Sequence, residues 1–377
     1  MQLRPCAPGI VLTGPFLVYS SVARINRALA VALLSSPDFS VGLKPHGFSA
    51  ESPQRFPHGE AIRTAFYRRP RRLDLTIRHH WPHDFSRPRG GKLAVIVPWE
   101  FGALPRRWVV RIKQNVDELW VPSGFVRDIF RRCGVNRERI AVIPNGVDTG
   151  VFSPQGESWR PARARGFVFL FVGGVITRKG ADLLLKAYLR TFCHRDDVTL
   201  VFKDIGSNSY YRYCTLLPEM RRETKKKGAA RVLILTEKMD DRKLAALYRG
   251  CDALVAPYRG EGFCLPLAEA MACGKPVIAT AQGPSQEFCT SKCAYLIPAR
   301  TTALPGGMDG YGKLAGKLTW LEPDLEELAH TLRHVYEHRE EAALRGARGV
   351  DRIRPNLDWT TVTAKYLERV AALTRAE

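Results

Sequence analysis

Apolar residues along this chain fall into short unbroken runs, each followed by a stretch in which they recur at helical spacing. "PGIVLTGPFLVYSSVARINRALAVALLSS" (8–36) reads as strand, glycine turn and amphipathic helix, with Val22, Ile25, Leu29, Ala32 and Leu33 on one helical face. "LDLTIR" (73–78) is the one strand-like run in a segment, 50–92, otherwise rich in Pro, Arg and His. "KLAVIVPWEFGALPRRWVVRI" (92–112) reads as buried strand, polar loop and helix. "VDELWVPS" (116–123) is a strand whose Ser123 caps a following helix, and "RIAVIPNGVD" (139–148) closes the first half. A breaker-rich stretch without periodicity, 151–166, follows. The alternation then restarts with "FVFLFVGG", "KGADLLLKAYLRTF", "VTLVFKD", "RVLILTE", "DRKLAALYRGC" and "CDALVAPY". Strands alternating with helices in both halves predict an α/β protein of two parallel-sheet domains. The strand–glycine–helix opening is of the Rossmann-like kind. The expected boundaries are 1–155, a linker at 156–165, a second domain at 166–355 and a last helix at 356–377.

The densest chemistry lies in "YRGEGFCLPLAEAMACGKPVIAT" (258–280). Pro266 suits the first position of a helix, and Gly274 with Pro276 stops it. The amides at such a helix start bind anions, and Gly262 lets a ligand approach the backbone. A loop carboxylate, Glu261, would repel a phosphate but bind hydroxyls beside it, and Glu269, one turn into the helix, reaches a second set. An anion flanked by two polyols is a nucleotide sugar. Taken singly, either glutamate near a helix N-terminus is as well explained by the macrodipole.

Composition adds a charge anomaly. The 377 residues are 45% hydrophobic and 25% charged, ordinary for a globular protein, yet carry a net charge of +21. Residues 1–150 hold 23 Lys and Arg against 11 Asp and Glu, a difference of +12. In 63–92 nine basic residues face two acidic ones, and Arg68, Arg69, Arg71 and Arg72 cluster in what reads as a surface loop near the cleft. A field of this sign attracts phospholipid, pyrophosphate or nucleic acid, and four cations suffice to hold a protein at an anionic leaflet. The apolar run 10–19 is broken by Gly14 and Pro15, which argues against a secretory signal. Nine scattered cysteines without a Cys-x-x-Cys pair, and no glycosylation sequon, suggest a reducing cytoplasm, with peripheral attachment to the inner membrane face as an extension. His79, His80 and His83 read as surface histidines, because Pro82 breaks the helix that would align His79 with His83 on a metal. Gly307, Gly312 and Lys313 match P-loop spacing, but Leu314 stands where Ser or Thr would ligate magnesium. No Asp-x-Asp occurs, so no metal site and no cofactor are expected.

The phrase from Glu261 to Ala279 resembles the signature of the retaining family-four glycosyltransferases of GT-B fold. "FVGGVITRKGADLLLKAY" (171–188), "IPNGVD" (143–148), the stretch beginning "PWEFGALPRR" and the C-terminal "DWTTVTAKYLERV" resemble further parts of that family. The resemblance implies two Rossmann-like domains facing across a cleft, an N-terminal acceptor domain, a C-terminal nucleotide-sugar domain, and a last helix returning to the first. It implies that Glu261 binds hydroxyls of the transferred sugar and that amides of Gly262, Phe263, Cys264 and Leu265 meet sugar and phosphate. Glu269 would bind the ribose. Gly173 and Gly174 end the strand before the phosphate-gripping Arg178 and Lys179, and Gly14 lets donor and acceptor approach. Three positions depart from the family pattern: Gly174 stands where many members have arginine, Cys264 replaces a glycine, and Trp99-Glu100 replaces a histidine near the sugar. The implied reaction moves a hexosyl unit from a nucleotide diphosphate sugar to a hydroxyl acceptor with retention. That acceptor is either an anionic or lipid-linked envelope glycan precursor or a small soluble molecule. An epimerase or phosphorylase on the same fold, and a basic nucleic-acid-binding protein, are the competing classes; no nucleic-acid module is visible.

Overall fold

A computed structural model describes residues 7–47, 51–206, 213–308 and 310–375. The first half contains β1 (Gly9–Gly14), α1 (Ser21–Ser35), β2 (Ser40–Pro45), α2 (Gly59–Ala65), β3 (Leu75–Arg78) and β4 (Lys92–Ile96). It continues with β5 (Leu104–Pro105), α3 (Arg106–Asn115), β6 (Glu118–Val121), α4 (Gly124–Arg132) and β7 (Ile140–Val142). Six of these strands form a parallel sheet in the order β2-β1-β3-β4-β6-β7. The second half holds β8 (Phe167–Gly173), α5 (Ala181–Thr191), β9 (Val198–Asp204), α6 (Leu217–Glu223) and β10 (Arg231–Leu235). Then come α7 (Asp241–Gly250), β11 (Ala253–Ala256), α8 (Leu265–Ala272), β12 (Val277–Thr280) and β13 (Tyr295–Ile297). Its parallel sheet runs β10-β9-β8-β11-β12-β13. Helices cover both faces of each sheet, which is why β8 is apolar throughout and buried at every residue. Ser20, Ser123 and Asp240 start α1, α4 and α7 by accepting hydrogen bonds from the amides of Ala23, Val126 and Lys243.

The chain ends with the hairpin strands β14 (Ala299–Ala303) and β16 (Thr319–Pro323), the short β15 (Leu314–Ala315) between them, and the helices α9 (Leu325–Glu337), α10 (Arg339–Leu357) and α11 (Trp359–Thr374). Val362, Tyr366 and Val370 of α11 join the core of the first sheet, with Tyr366 5.3 Å from Trp120 between ring centroids. Arg369 pairs there with the buried Glu118. At Val147 and Asp358 the two chain crossings between domains lie side by side, joined by a bridge in which the Val147 amide donates to Leu357 at 2.7 Å.

Residues 304–308 and 310–318, between β14 and β16, form a strap onto the first domain. β15 pairs antiparallel with β5, the Gly102 amide donates to Thr319 and the Arg106 amide to Lys313, both at 2.8 Å. Tyr311 meets Trp99 and Trp108 edge-on. The P-loop-like glycines lie in this strap, where Gly307 and Gly312 take left-handed backbone angles.

Two expectations about the first domain change. Arg68, Arg69, Arg71 and Arg72 are exposed, but the loop that carries them lies far from the C-terminal strand ends. Their backbone lies against the starts of the strands: a Cβ on Gly9 would fall 1.7 Å from the Arg72 carbonyl, and Asp74 accepts from the Gly9 amide at 2.8 Å. Gly9 begins β1 and Gly14 ends it, about 17 Å apart at ordinary strand rise. The histidines are likewise not at the surface. His79 and His80 are buried, because β3 carries them inward beneath α1 and the loop after β2. Asn26 donates to the carbonyls of Pro15 and His79, which leaves its oxygen to accept from His79 Nδ1 at 2.8 Å. Burial, with lesser contributions from His83 and His80, lowers the His79 pKa to about 3. No group of His, Cys, Asp and Glu with metal-holding geometry occurs among the described residues, and none of their cysteines forms a disulfide; Cys6 lies outside them. No described helix is long and apolar enough to cross a membrane.

The neutral His79 sets a pH dependence. Above the unfolded-state pKa near ~6.5 both states are neutral and its contribution is complete. Below it the unfolded chain binds a proton that the folded chain refuses until about pH 3, so stability falls as pH falls. Urea unfolding should lose about 2 kcal/mol through His79 between roughly pH 6.5 and pH 5. His79→Gln, which cannot titrate, should remove that share of the slope and leave the shares of His80 and His83, whose pKa values burial also lowers, to about 4 and about 3.

Candidate active site

The strand ends of β8 and β11 lie next to each other, and their loops interlock. After Gly173 the chain makes a single turn of 3-10 helix, Thr177–Lys179, closed by Gly180 at φ +75°. A Cβ on Gly180 would lie 1.9 Å from the Pro257 carbonyl, so only glycine lets the two loops touch. The Arg178 carbonyl accepts from the amides of Arg259 (2.8 Å) and Gly260 (3.2 Å). Beneath this contact the Arg259 guanidinium, 5% exposed, makes a two-point pair with Asp182, contacts both Glu322 oxygens and donates to Thr177 O at 2.7 Å. Burial opposes its charge, but the two carboxylates prevail and raise its pKa.

On this platform Lys179 Nζ pairs directly with Glu261. Arg178 donates to Gly260 O at 2.5 Å and stands 3.5 Å from Glu100 and 3.8 Å from Glu261. Glu100 arrives from the loop after β4, so the constellation draws on both domains. The two domains approach closely here: a Cβ on Gly260 would come 2.7 Å from the Glu100 carbonyl, and Ser123 donates to Gly262 O at 2.9 Å.

Cys264 holds φ +66°, a left-handed conformation that costs a non-glycine residue about 1–2 kcal/mol. This accounts for the glycine that the family pattern has at that place. The turn delivers the chain into α8, and Pro266 occupies its first turn. Among the described residues the amides of Gly262, Phe263, Cys264 and Leu265 reach no acceptor, as at any helix start without a side-chain cap. Burial pushes the Cys264 thiol pKa up, so it stays protonated and unreactive.

Glu269 is 2% exposed and already engaged: Arg24 of α1 holds one oxygen and the Tyr248 hydroxyl donates to the other at 2.9 Å. Arg24 also pairs with Asp241 at 2.7 Å, so one first-domain guanidinium spans two second-domain carboxylates. Burial raises the Glu269 pKa and Arg24 opposes that rise.

Arg178, Lys179, Glu261 and Glu100 are thus brought together at the strand ends, with Gly173 and Gly174 leading into them. Trp99 is not on that surface: it is 2% exposed, its indole donates to Ala103 O at 2.9 Å, and it packs on Trp108. Gly14 serves packing, since a Cβ there would meet Asn26 Nδ2 at 2.3 Å and the His79 carbonyl at 2.4 Å. The sequence reading missed Arg259 and Arg24. Arg259 has a faint signal, a cation ending the apolar run of β11; Arg24 has none, as α1 was legible only through its apolar face.

Residues 166–305 match the family described as glycosyl transferases group 1, and residues 51–151 match glycosyltransferase family 4. The chain is 28% identical over 305 residues to an MMP alpha-(1->4)-mannosyltransferase of Mycolicibacterium hassiacum, covering 77% of this chain and 65% of that one. It is 30% identical to a D-inositol 3-phosphate glycosyltransferase of Acidothermus cellulolyticus over 45% of this chain and 38% of the other. The chain therefore spans less than two thirds of the length of either relative. Sucrose-phosphate synthase from Thermosynechococcus elongatus superposes with a TM-score of 0.67 at 17% identity, covering 97% and 99% of the two chains. Anabaena HepE, solved with UDP and glucose, superposes with a TM-score of 0.63 at 15% identity, covering 97% and 100%. With two matching sheets, interlocked strand-end loops and these likenesses, the chain belongs to the family-four glycosyltransferases and has their GT-B fold.

Proposed function

We propose that the protein transfers a hexosyl unit from a nucleotide diphosphate sugar to a hydroxyl acceptor, with retention at the anomeric carbon. The observation that carries this reading is the Lys179–Glu261 pair beside the unengaged amides of Gly262–Leu265. A departing diphosphate needs fixed positive charge, which Arg178, Lys179 and the start of α8 supply without a metal. Glu261 binds sugar hydroxyls and keeps the Lys179 ammonium aimed at the site. The acceptor oxygen bonds to the anomeric carbon as the bond to phosphate breaks, and a phosphate oxygen of the leaving group takes the acceptor proton. Double displacement is disfavoured because Glu261 is committed to Lys179 and Glu269 to Arg24 and Tyr248. Glu269 contacts the ribose by exchanging one of its protein partners. A UDP-bound structural neighbour is consistent with a nucleoside diphosphate donor. Both a lipid-linked envelope precursor and a small soluble acceptor fit this donor site, and the arginines 68–72, being remote from it, do not choose between them.

Three measurements test the site. Glu261→Ala should abolish transfer and leave the circular dichroism spectrum and unfolding midpoint near wild type; near-normal turnover would sink the assignment. Glu269→Gln should weaken nucleoside diphosphate binding by about 1–3 kcal/mol in titration calorimetry. Lys179→Ala should lower kcat about 100-fold or more while activity survives EDTA; a strict manganese or magnesium requirement would overturn the metal-free account.

A further inference from the structure

The solvent face of α3 carries Arg106, Arg107, Arg111 and Lys113, all exposed, with Trp108, Val109 and Ile112 turned into the core. Arg106, Val110 and Lys113 form one helical row, and Arg107, Arg111 and Gln114 the next. Val110, 46% exposed, therefore sits among cations. None of these four cations has an ion-pair partner among the described residues.

Neighbouring elements extend the face. The Arg106 amide binds the carbonyl of the exposed Lys313 in the strap, which also presents Lys317. Cys133, at the end of α4, lies 3.1 Å from Ala315 O, and the exposed Arg131 and Arg132 precede it. Arg139 donates to the Lys113 carbonyl at 3.0 Å. The surface is thus contiguous, built from both domains, and begins where the chain leaves Glu100.

We propose that this composite face of α3 and the strap docks the enzyme on an anionic lipid bilayer. Cations attract anionic headgroups, and an aliphatic side chain among them enters the headgroup boundary. A single-stranded nucleic acid would call for exposed aromatic stacking surfaces, whereas Trp108, the one aromatic of α3, is buried. The inference deepens the acceptor half of the proposed function and rests on that reading for its purpose alone. Docking is measured without turnover, so the two fail separately.

The test is co-sedimentation of the full chain with phosphatidylcholine vesicles and with vesicles containing phosphatidylglycerol. Binding is expected to the anionic vesicles only, to vanish at high salt, and to weaken about a hundredfold in Arg106→Ser/Arg107→Ser/Arg111→Ser/Lys113→Ser. That variant should keep wild-type nucleoside diphosphate affinity, which shows that it is folded. Arg68→Ser/Arg69→Ser/Arg71→Ser/Arg72→Ser should bind vesicles nearly as wild type does. The proposal is overturned if wild type ignores anionic vesicles, if the α3 variant binds undiminished, if only the second variant loses binding, or if a single-stranded oligonucleotide competes the vesicles away.

Discussion

The interlocked loops at the cleft rest on one buried cation. Arg259 is taken out of water and surrounded by Asp182, Glu322 and the Thr177 carbonyl, and in return it ties its own loop to the segment from Thr177 to Asp182 and to Glu322 of β16, pieces of chain far apart in sequence. Removing one member of such a group leaves an uncompensated buried charge, so its members are retained or lost together. The backbone around Arg259 then holds the Arg178 carbonyl, which decides where Arg178 and Lys179 emerge. The glutamate of the next loop has its direction set by the same residue two places earlier.

The electrostatics above this platform are nearly balanced before any substrate arrives. Lys179 is opposed by Glu261, and Arg178 by Glu261 and Glu100. A constellation of two cations and two carboxylates avoids the repulsion of unpaired cations held side by side. It can still release positive charge toward a phosphate when hydroxyl groups occupy the carboxylates. A histidine in place of Glu100 would lack this balancing role, so this departure from the family pattern alters the charge at the site itself.

Much of this was legible in the sequence where the physics is local. β8, β11 and β12 are buried on both faces and read as unbroken apolar runs, and Pro266 with Gly274 marks α8 at both ends. The glutamate–glycine–phenylalanine phrase carried the site because helix-start chemistry depends on adjacent residues. β2 was illegible, since an edge strand with Lys44 and Pro45 lacks a two-sided apolar pattern. α2 was hidden by its short length and by the prolines before it. The burial of His79 depends on Asn26, far away in sequence, and the Arg24 pairing depends on the approach of the two domains. The remoteness of arginines 68–72 follows from topology: a loop entering a parallel strand lies at the opposite end from one leaving it.

The strap alters the mechanics of the two-domain arrangement. Two covalent crossings that lie side by side at Val147 and Asp358 act as a single axle, which by itself would leave one soft rotation. The β5–β15 pairing attaches the halves at another point and removes that degree of freedom. Any separation of the halves must unzip this two-residue ladder and lift Tyr311 from two tryptophans, besides parting Arg24 from Glu269 and Ser123 from Gly262, a small cooperative event rather than a smooth swing. The clearance between the halves is in this way quantised by a few backbone hydrogen bonds, and a short glycine-rich excursion serves as its catch.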